Sequence, residues 1–385
     1  MTRTVIHIAA FTTPHSGGFI SSLKSLEGYA KTQGFRLVFI FPEAAKKTRW
    51  AFELLKEGYV VYFLPSKPSM FAILKIIKQI ARSESAAILH THFSNYNLLA
   101  GMASLLLSWE NKNVRTIWHF HSDWKIKMTL IRKIKDIILY KTLGQYVYGI
   151  SVSENIKENM ILRGMPRRRI YYVPNGFDID RVNSSKNEPA FIRREIGIPE
   201  GKKVFLAFGW EPITKGIDLL LNAFEILVKQ YKNAVLFLVG TEIMKQYVEN
   251  WTCGTPREWL ILSDPRENVA DFYKVSDVFV SASRSEGFSY SVAEAMAATL
   301  PIVSSNIPGL DWARNVEGVV FFENCNENSL LQAMEKILEW SETERAVKTI
   351  ANNRFIIENY SLEKWSENIV EIYKTILGEM KNNDN

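Results

Sequence analysis

Residues 283–301 read SRSEGFSYSVAEAMAATLP, which sets one carboxylate, Glu286, before a glycine and a second, Glu294, eight residues later. A carboxylate can move a proton, ligate a metal or accept hydrogen bonds from hydroxyl groups. The preceding run DVFVSAS has a strand pattern, so Glu286 falls on a loop and Glu294 in the first turn of an alanine-rich helix beginning near Ser289–Ser291. That spacing does not make a facing acid–base pair. It suits the two ends of an elongated ligand whose anionic middle lies over the helix start, where amide groups and the macrodipole favour negative charge. A sugar, a diphosphate and a ribose, in that order, have this shape. Glutamate near a helix start is also favoured with no ligand present, and two carboxylates eight apart arise by chance. The surroundings must decide.

Two further strand-to-helix loops carry unusual chemistry. FGWEPITKGIDLLLNAF places Lys215 beside Gly216 at a helix entry. A cation there opposes the macrodipole by ~0.3–1 kcal/mol, so either it is simply solvated or an anion compensates it. TTPHSGGF places Gly17 and Gly18 at another helix start, where paired glycines allow amides close to an anion or merely make a tight turn.

The elements that must position these groups follow an alternating plan. TVIHIAA, RLVFIF, YVVYFL, AAILHTH, VRTIWHF, YVYGISV and RIYYVP are strand-like in the first half, and KVFLAFG, AVLFLVG, EWLILSD, DVFVSAS and LPIVSS in the second. Helix-length segments lie between them. Continuous apolar strands alternating with helices predict two doubly wound parallel sheets, whose ligands sit beyond the carboxyl ends of the strands. At 385 residues two domains are expected, 1–181 and 190–360 with a polar linker at 182–189, followed by an amphipathic helix over 361–385. Residues 1–185 carry 26 basic against 12 acidic side chains, a net +14, while the remainder is −8, so the halves face different partners. Two cysteines form neither a disulfide framework nor a metal-ligand spacing, which fits a reducing compartment. No apolar run approaches the ~20 residues that span a bilayer, and MTRTVIHIAAF reads as a first strand rather than a signal peptide. A cytoplasmic location follows.

Taken together, these residues resemble the retaining nucleotide-sugar glycosyltransferases of family 4, which have the GT-B fold of two Rossmann-like domains facing a central cleft, with a C-terminal helix crossing back to the first domain. Glu286 and Glu294 match the family's glutamate pair, Lys215–Gly216 its Lys-Gly step, and VPNGFD its domain-crossing segment. The GG loop and HFHSDW at 119–124 match as well. The resemblance implies an acceptor-binding first domain and a nucleotide-sugar-binding second one. It implies that Glu294 binds ribose hydroxyls and that Glu286 holds the donor sugar. The amides of Phe288, Ser289 and Tyr290, together with Gly17, Gly18, Gly287 and Lys215, would surround the donor. His121, with His119 and Asp123, would lie near the acceptor, while His90 and His92 anchor a strand-end loop. Transfer with retention needs no metal and no cofactor here, because amides and Lys215 can stabilise the leaving diphosphate. The expected donor is a UDP-sugar rather than a GDP-sugar.

Two departures stand out. Trp210 occupies the position of an arginine that helps neutralise the diphosphate, leaving Arg284 as the substitute or stabilisation weaker, and Leu300 replaces a glycine before Pro301. Trp210 keeps a non-catalytic donor-binding subunit open as an alternative, beside a nucleotide-sugar epimerase. Between residues 112 and 141 eight basic side chains meet only Asp123 and Asp136, and Leu130, Ile131, Ile134, Ile137 and Ile138 form an apolar stripe. Either the stripe packs on the first sheet, or the segment docks on an anionic membrane and presents a lipid-linked or polysaccharide acceptor. Arg163, Arg167, Arg168 and Arg169 would extend that face. No nucleic-acid motif accompanies the charge.

Overall fold

The continuous apolar runs become strands buried on both faces, each parallel to its neighbours. The computed structural model describes residues 2–14, 16–66, 68–121, 130–266 and 268–382, with 130–135 and 379–382 described as backbone only. Two units result, Met1–Gly176 with Leu362–Asn385, and Phe177–Ser361.

In the first unit β1 (Arg3–Ala9), β2 (Phe35–Pro42), β3 (Val61–Leu64), β4 (Ala86–His92), β5 (Arg115–Phe120), β6 (Tyr148–Ser151) and β7 (Ile170–Tyr172) form one sheet. Its order is β3-β2-β1-β4-β5-β6-β7. Alternation along the strands divides the side chains between two layers. Ile6, Ile8, Val38, Ile40 and Leu89 pack with the helices Met70–Ser83 and Asn97–Ser108. Val5, Leu37, Phe39 and Ile117 face the helix Gly17–Thr32 and the C-terminal helix Leu362–Asn382. That last helix brings Trp365, Ile369, Tyr373, Ile376 and Leu377 into the same layer, a stripe at the 3–4-residue spacing of an amphipathic helix. The return of the C-terminal helix to the first unit is as the family resemblance implied.

In the second unit β8 (Lys203–Phe208), β9 (Ala234–Val239), β10 (Leu260–Ser263), β11 (Val278–Ser281), β12 (Ile302–Ser305) and β13 (Val319–Phe322) are ordered β10-β9-β8-β11-β12-β13. The edge strand β13 is absent from the sequence reading. Strand order reverses between β1 and β4 in one sheet and between β8 and β11 in the other, so the loops after those strands flank a crevice where ligands bind.

The division between units differs from the expected 181 and 190. Phe177 already belongs to the second unit, since its amide donates to the Tyr360 carbonyl at 2.9 Å and it bridges to Ser361. The segment expected to be a linker is held down as well. It starts with a short helix, Asp180–Asn183, and Ser185 donates to Asp271 at 2.6 Å while Ser184 bonds Asn268 at 2.8 Å. Hydroxyl and amide side chains that read as linker composition here serve as anchors.

Candidate active site

The second unit's crevice is built by the loops after β8 and β11, which are tied to each other. The Arg284 amide donates to the Thr214 carbonyl at 2.8 Å. Gly216 takes φ +65°, and a Cβ there would come within 2.0 Å of the Ala282 carbonyl oxygen, so only glycine lets these loops touch. On this base Lys215 Nζ meets Glu286 Oε1 at 2.5 Å, and Ser283 Oγ donates to the same oxygen at 2.8 Å. Lys215, Ser281, Ser283 and Ser291 line a small pocket over the ends of β8 and β11. The loop after β12 closes in behind, where a Cβ on Gly309 would reach the Glu286 carbonyl oxygen at 2.1 Å.

Gly287 and Phe288 continue the β11 loop into the helix Tyr290–Ala297, with Ser289 at its N-cap. Ser289 makes no side-chain cap and instead meets Ser291 Oγ at 3.2 Å, so the helix start relies on other partners for its first amides. Phe288 is buried against Trp312, with ring centroids 5.0 Å apart. Glu294 lies in the second turn of this helix rather than the first, because the helix begins only at Tyr290. Tyr273 Oη donates to its Oε2 at 2.9 Å, and Arg181 Nε approaches Oε1 to 3.1 Å, off the line of a hydrogen bond. Burial raises the Glu294 carboxyl above its ordinary pKa, with Arg181 and Tyr273 opposing. Each carboxylate oxygen has two lone pairs, so a hydroxyl pair can be accepted while both partners stay. Arg181, Tyr273 and Ser283 escaped the sequence reading; only Ser283, three residues before Glu286, was near enough in sequence to be found.

Arg284, the suggested substitute for the arginine that Trp210 replaces, is engaged elsewhere. Its guanidinium is bidentate on Asp218, at 2.9 and 2.6 Å, and also donates to the Ile213 carbonyl. A fork already closed on a carboxylate has little left for a phosphate. Trp210 stacks on Phe208 with centroids 5.9 Å apart and is 39% exposed, and Leu300 is a packed core residue.

In the first unit Gly17 opens the helix Gly17–Thr32 at φ +54°, and Ser22 donates back to the Gly18 carbonyl at 2.8 Å. Near the ends of β1, β4 and β5 five of the six histidines gather on the sheet face that the C-terminal helix covers. The contacts run in single file. Asn175 Oδ1 meets His121 Nδ1 at 3.1 Å, His121 Nε2 meets His92 Nδ1 at 2.8 Å, and His92 Nε2 meets His7 Nδ1 at 3.0 Å. His7 Nε2 lies 3.2 Å from Tyr373 Oη, which reaches His90 Nδ1 at 2.7 Å, and His90 Nε2 meets His119 Nδ1 at 3.2 Å. Within this file His119 Nε2 is buried without a partner among the described residues. With no carboxylate in the file, desolvation holds every ring neutral, with His7 lowered to about 3 and His121 to about 4.

These contacts correct the expectation for His119. His119 is fully buried and cannot touch an acceptor. Both His121 nitrogens are engaged, by His92 and by Asn175. His90 and His92 are buried in the sheet layer, and His92 bonds His121, the residue that follows β5. Asp123 lies outside the described residues. Asn175, His7 and Tyr373 were not anticipated, and no local signal couples a tyrosine near the C-terminus to histidines near residue 90.

Comparison with known proteins gives this architecture its context. Residues 16–181 match the model of Glycosyltransferase Family 4, and residues 189–373 that of Glycosyl transferases group 1. An uncharacterised glycosyltransferase of Methanocaldococcus jannaschii is 28% identical over 235 residues, covering 58% of this chain and 59% of that one, so the match spans less than two thirds of that relative. The GPI3 subunit of phosphatidylinositol N-acetylglucosaminyltransferase from Saccharomyces cerevisiae is 24% identical over 384 residues, covering 95% and 81%. Among solved structures, a Rickettsia africae glycosyltransferase superposes with TM-score 0.81 at 20% identity over 98% of this chain and 99% of that one. Anabaena HepE in complex with UDP-glucose superposes with TM-score 0.79 at 14% identity over 97% and 99%. With both halves matched in order and the two parallel sheets in place, the chain belongs to the family 4-like glycosyltransferases of GT-B fold.

Proposed function

We propose that this glycosyltransferase moves a sugar from a nucleoside-diphosphate sugar, UDP- rather than GDP-linked, to a hydroxyl of a glycan or lipid-linked acceptor, with retention at the anomeric carbon. The observation that carries the reading is the meeting of Lys215 and Glu286 at the β8–β11 crevice, with Glu294 on the helix that follows. In this scheme Glu294 accepts the ribose hydroxyls and Glu286 a hydroxyl of the donor sugar. Lys215 turns from Glu286 to the diphosphate as its charge develops, and the helix start at Ser289–Tyr290 adds amides to the same anion. No metal or cofactor takes part in the transfer. The likeness to HepE with UDP-glucose supports the choice of donor.

The first unit is the acceptor side in this reading. Ile138 is 57% exposed and Leu162 81%, in sequence positions flanking the Asp136–Arg163 ion pair. Exposed apolar residues beside the basic 125–141 segment fit docking on an anionic membrane from the cytoplasmic side. Among the described residues no helix is long and apolar enough to cross one.

The test is a panel of nucleotide sugars with a lipid-extract acceptor. One donor should release its nucleoside diphosphate in an acceptor-dependent way, and proton couplings of the product should show the donor's anomeric configuration. Inversion would remove the retaining assignment, and no release with any donor would remove the transferase reading. The exposed Trp210 favours one second reading, a donor-binding subunit, which would bind UDP-sugars without turning them over.

A further inference from the structure

The histidine file does more than satisfy buried rings. We propose that His92, His119 and His121 bind one divalent d-block cation, zinc before others. Sequence alone gave no reason to expect a metal, because the ligands come from two strands and the pattern shows only once they are neighbours.

Strand geometry makes the donor set. His90-Thr91-His92 ends β4, His119 and Phe120 end β5 with His121 the next residue, and His92 and His119 are paired in register. Alternate residues of a strand share a face, so two H-x-H pairs on adjacent strands bring their imidazoles together. One ring nitrogen from each of His92, His119 and His121 lies within 4.8 Å of the other two. Zinc–nitrogen bonds of 2.0–2.1 Å in a tetrahedron set such nitrogens roughly 3.3 Å apart, so small ring rotations suffice. Three neutral imidazoles without a carboxylate select zinc, nickel or copper over magnesium or calcium.

The second layer is already in place. Each proposed ligand has one nitrogen held, His121 Nδ1 by Asn175, His92 Nε2 by His7 and His119 Nδ1 by His90. This leaves His121 Nε2, His92 Nδ1 and His119 Nε2 for the ion, and His119 Nε2 is the buried atom with no partner. Metal-bound histidines are oriented by just such partners on the other nitrogen. Proton placement is consistent. His121 and His119 keep hydrogen on Nδ1, His92 and His7 carry it on Nε2, and His90 on Nδ1, so that Tyr373 Oη accepts from both His7 and His90. Without the ion, His92 instead donates from Nδ1 to His121 Nε2, and His7 from Nδ1 to His92. The alternative trio of His7, His90 and His92 is buried throughout, and the Tyr373 hydroxyl already lies between His7 and His90. His121 is the one ligand with an exposed edge, which gives the ion a way in.

Untagged full-length protein, stripped with chelator, is titrated with Co²⁺ and read by visible absorption and by metal analysis after gel filtration. One Co²⁺ per chain should remain, with tetrahedral d–d bands that one equivalent of Zn²⁺ bleaches. Zinc at ~100 times its Kd should raise the melting temperature by a few degrees. His119→Asn and His121→Ala should each weaken cobalt binding at least ~100-fold, and His7→Gln, which removes the ring that holds His92 Nε2 and also meets Tyr373, about 10-fold. Should His119→Asn fail to fold, the part-exposed His121→Ala carries the test. No cobalt retained by the wild type, or binding unchanged by the ligand substitutions, overturns the proposal. Donor turnover plays no part in these readouts, so failure here is separate from failure of the glycosyl-transfer reading.

Discussion

Lys215 and Glu286 neutralise each other before any donor arrives, so either substitution strands the other charge in a partly buried loop. That sets different expectations for the two glutamates. In the proposed scheme Glu294→Ala removes hydrogen bonds to the nucleoside, which should raise KM for the donor about 10- to 100-fold, the equivalent of ~1.5–3 kcal/mol, with kcat little changed. Glu286→Ala and Lys215→Ala should lower kcat by at least as much, because their partners are at the reacting end. Steady-state kinetics on the three variants checks this, and equal effects on KM alone would contradict the assignment. Glu294 also makes a prediction about pH. Its folded pKa is raised above the unfolded value near 4.5. The folded state then holds the proton to higher pH than the unfolded state, and stability falls as pH rises from about 4.5 through the raised value. Glu294→Gln has no proton to lose, so its stability in urea titrations should fall less steeply between pH 4.5 and 7. A decline as steep as the wild type's would place the burial cost elsewhere.

Elements were more legible than partners. The strands that face apolar layers on both sides announced themselves as continuous runs, and Glu286 and Lys215 were visible because short loops must follow such strands. β13 was missed because VVFF is a four-residue edge strand, too short for its apolar run to stand out. Glu294 was misplaced by one turn because helix starts depend on caps, and Ser289 and Ser291 both had the composition of one. The polar 182–189 stretch read as a linker because anchoring hydroxyls and solvated ones look alike in sequence. The helix Leu130–Thr142 shows the same ambiguity. Its Ile137 and Ile138 are exposed, which departs from a stripe wholly packed on the sheet. Of the arginines expected to extend its basic face, Arg163 is spent on Asp136, Arg167 on Glu158, and Arg169 lies over the Tyr148 ring. The side chains of Arg132, Lys133 and Lys135 lie outside the described residues. Membrane docking should therefore depend on the helix itself. Replacing Ile137 and Ile138 by Ser, and separately Arg132, Lys133 and Lys135 by Glu, should each reduce sedimentation with anionic vesicles. Only the contribution of the charges should weaken with salt. Wild-type protein that ignores such vesicles at low salt would remove the membrane from the acceptor reading.

At the scale of the whole molecule, the first unit is assembled from both ends of the chain. Trp365, Ile369, Val370, Tyr373, Ile376 and Leu377 are all buried in its core. At ~1.5–3 kcal/mol for each large apolar side chain, their loss is comparable to the 5–15 kcal/mol that holds a typical domain together. A chain ending at Ser361 should leave the first unit protease-sensitive while Phe177–Ser361 survives limited proteolysis as a fragment. Equal resistance of both units would mean that the helix contributes little.

The same discontinuity has a consequence during synthesis. The ribosome delivers the first sheet early, yet the helix that covers one face of it is made only after the whole second unit. At 5–20 residues per second, the stretch between Gly176 and Leu377 takes roughly 10–40 s to translate. For that interval the second unit, contiguous in sequence, can finish folding while the first waits with part of that sheet face uncovered. The domain made first is the one completed last, and its nascent form is a natural client for a chaperone.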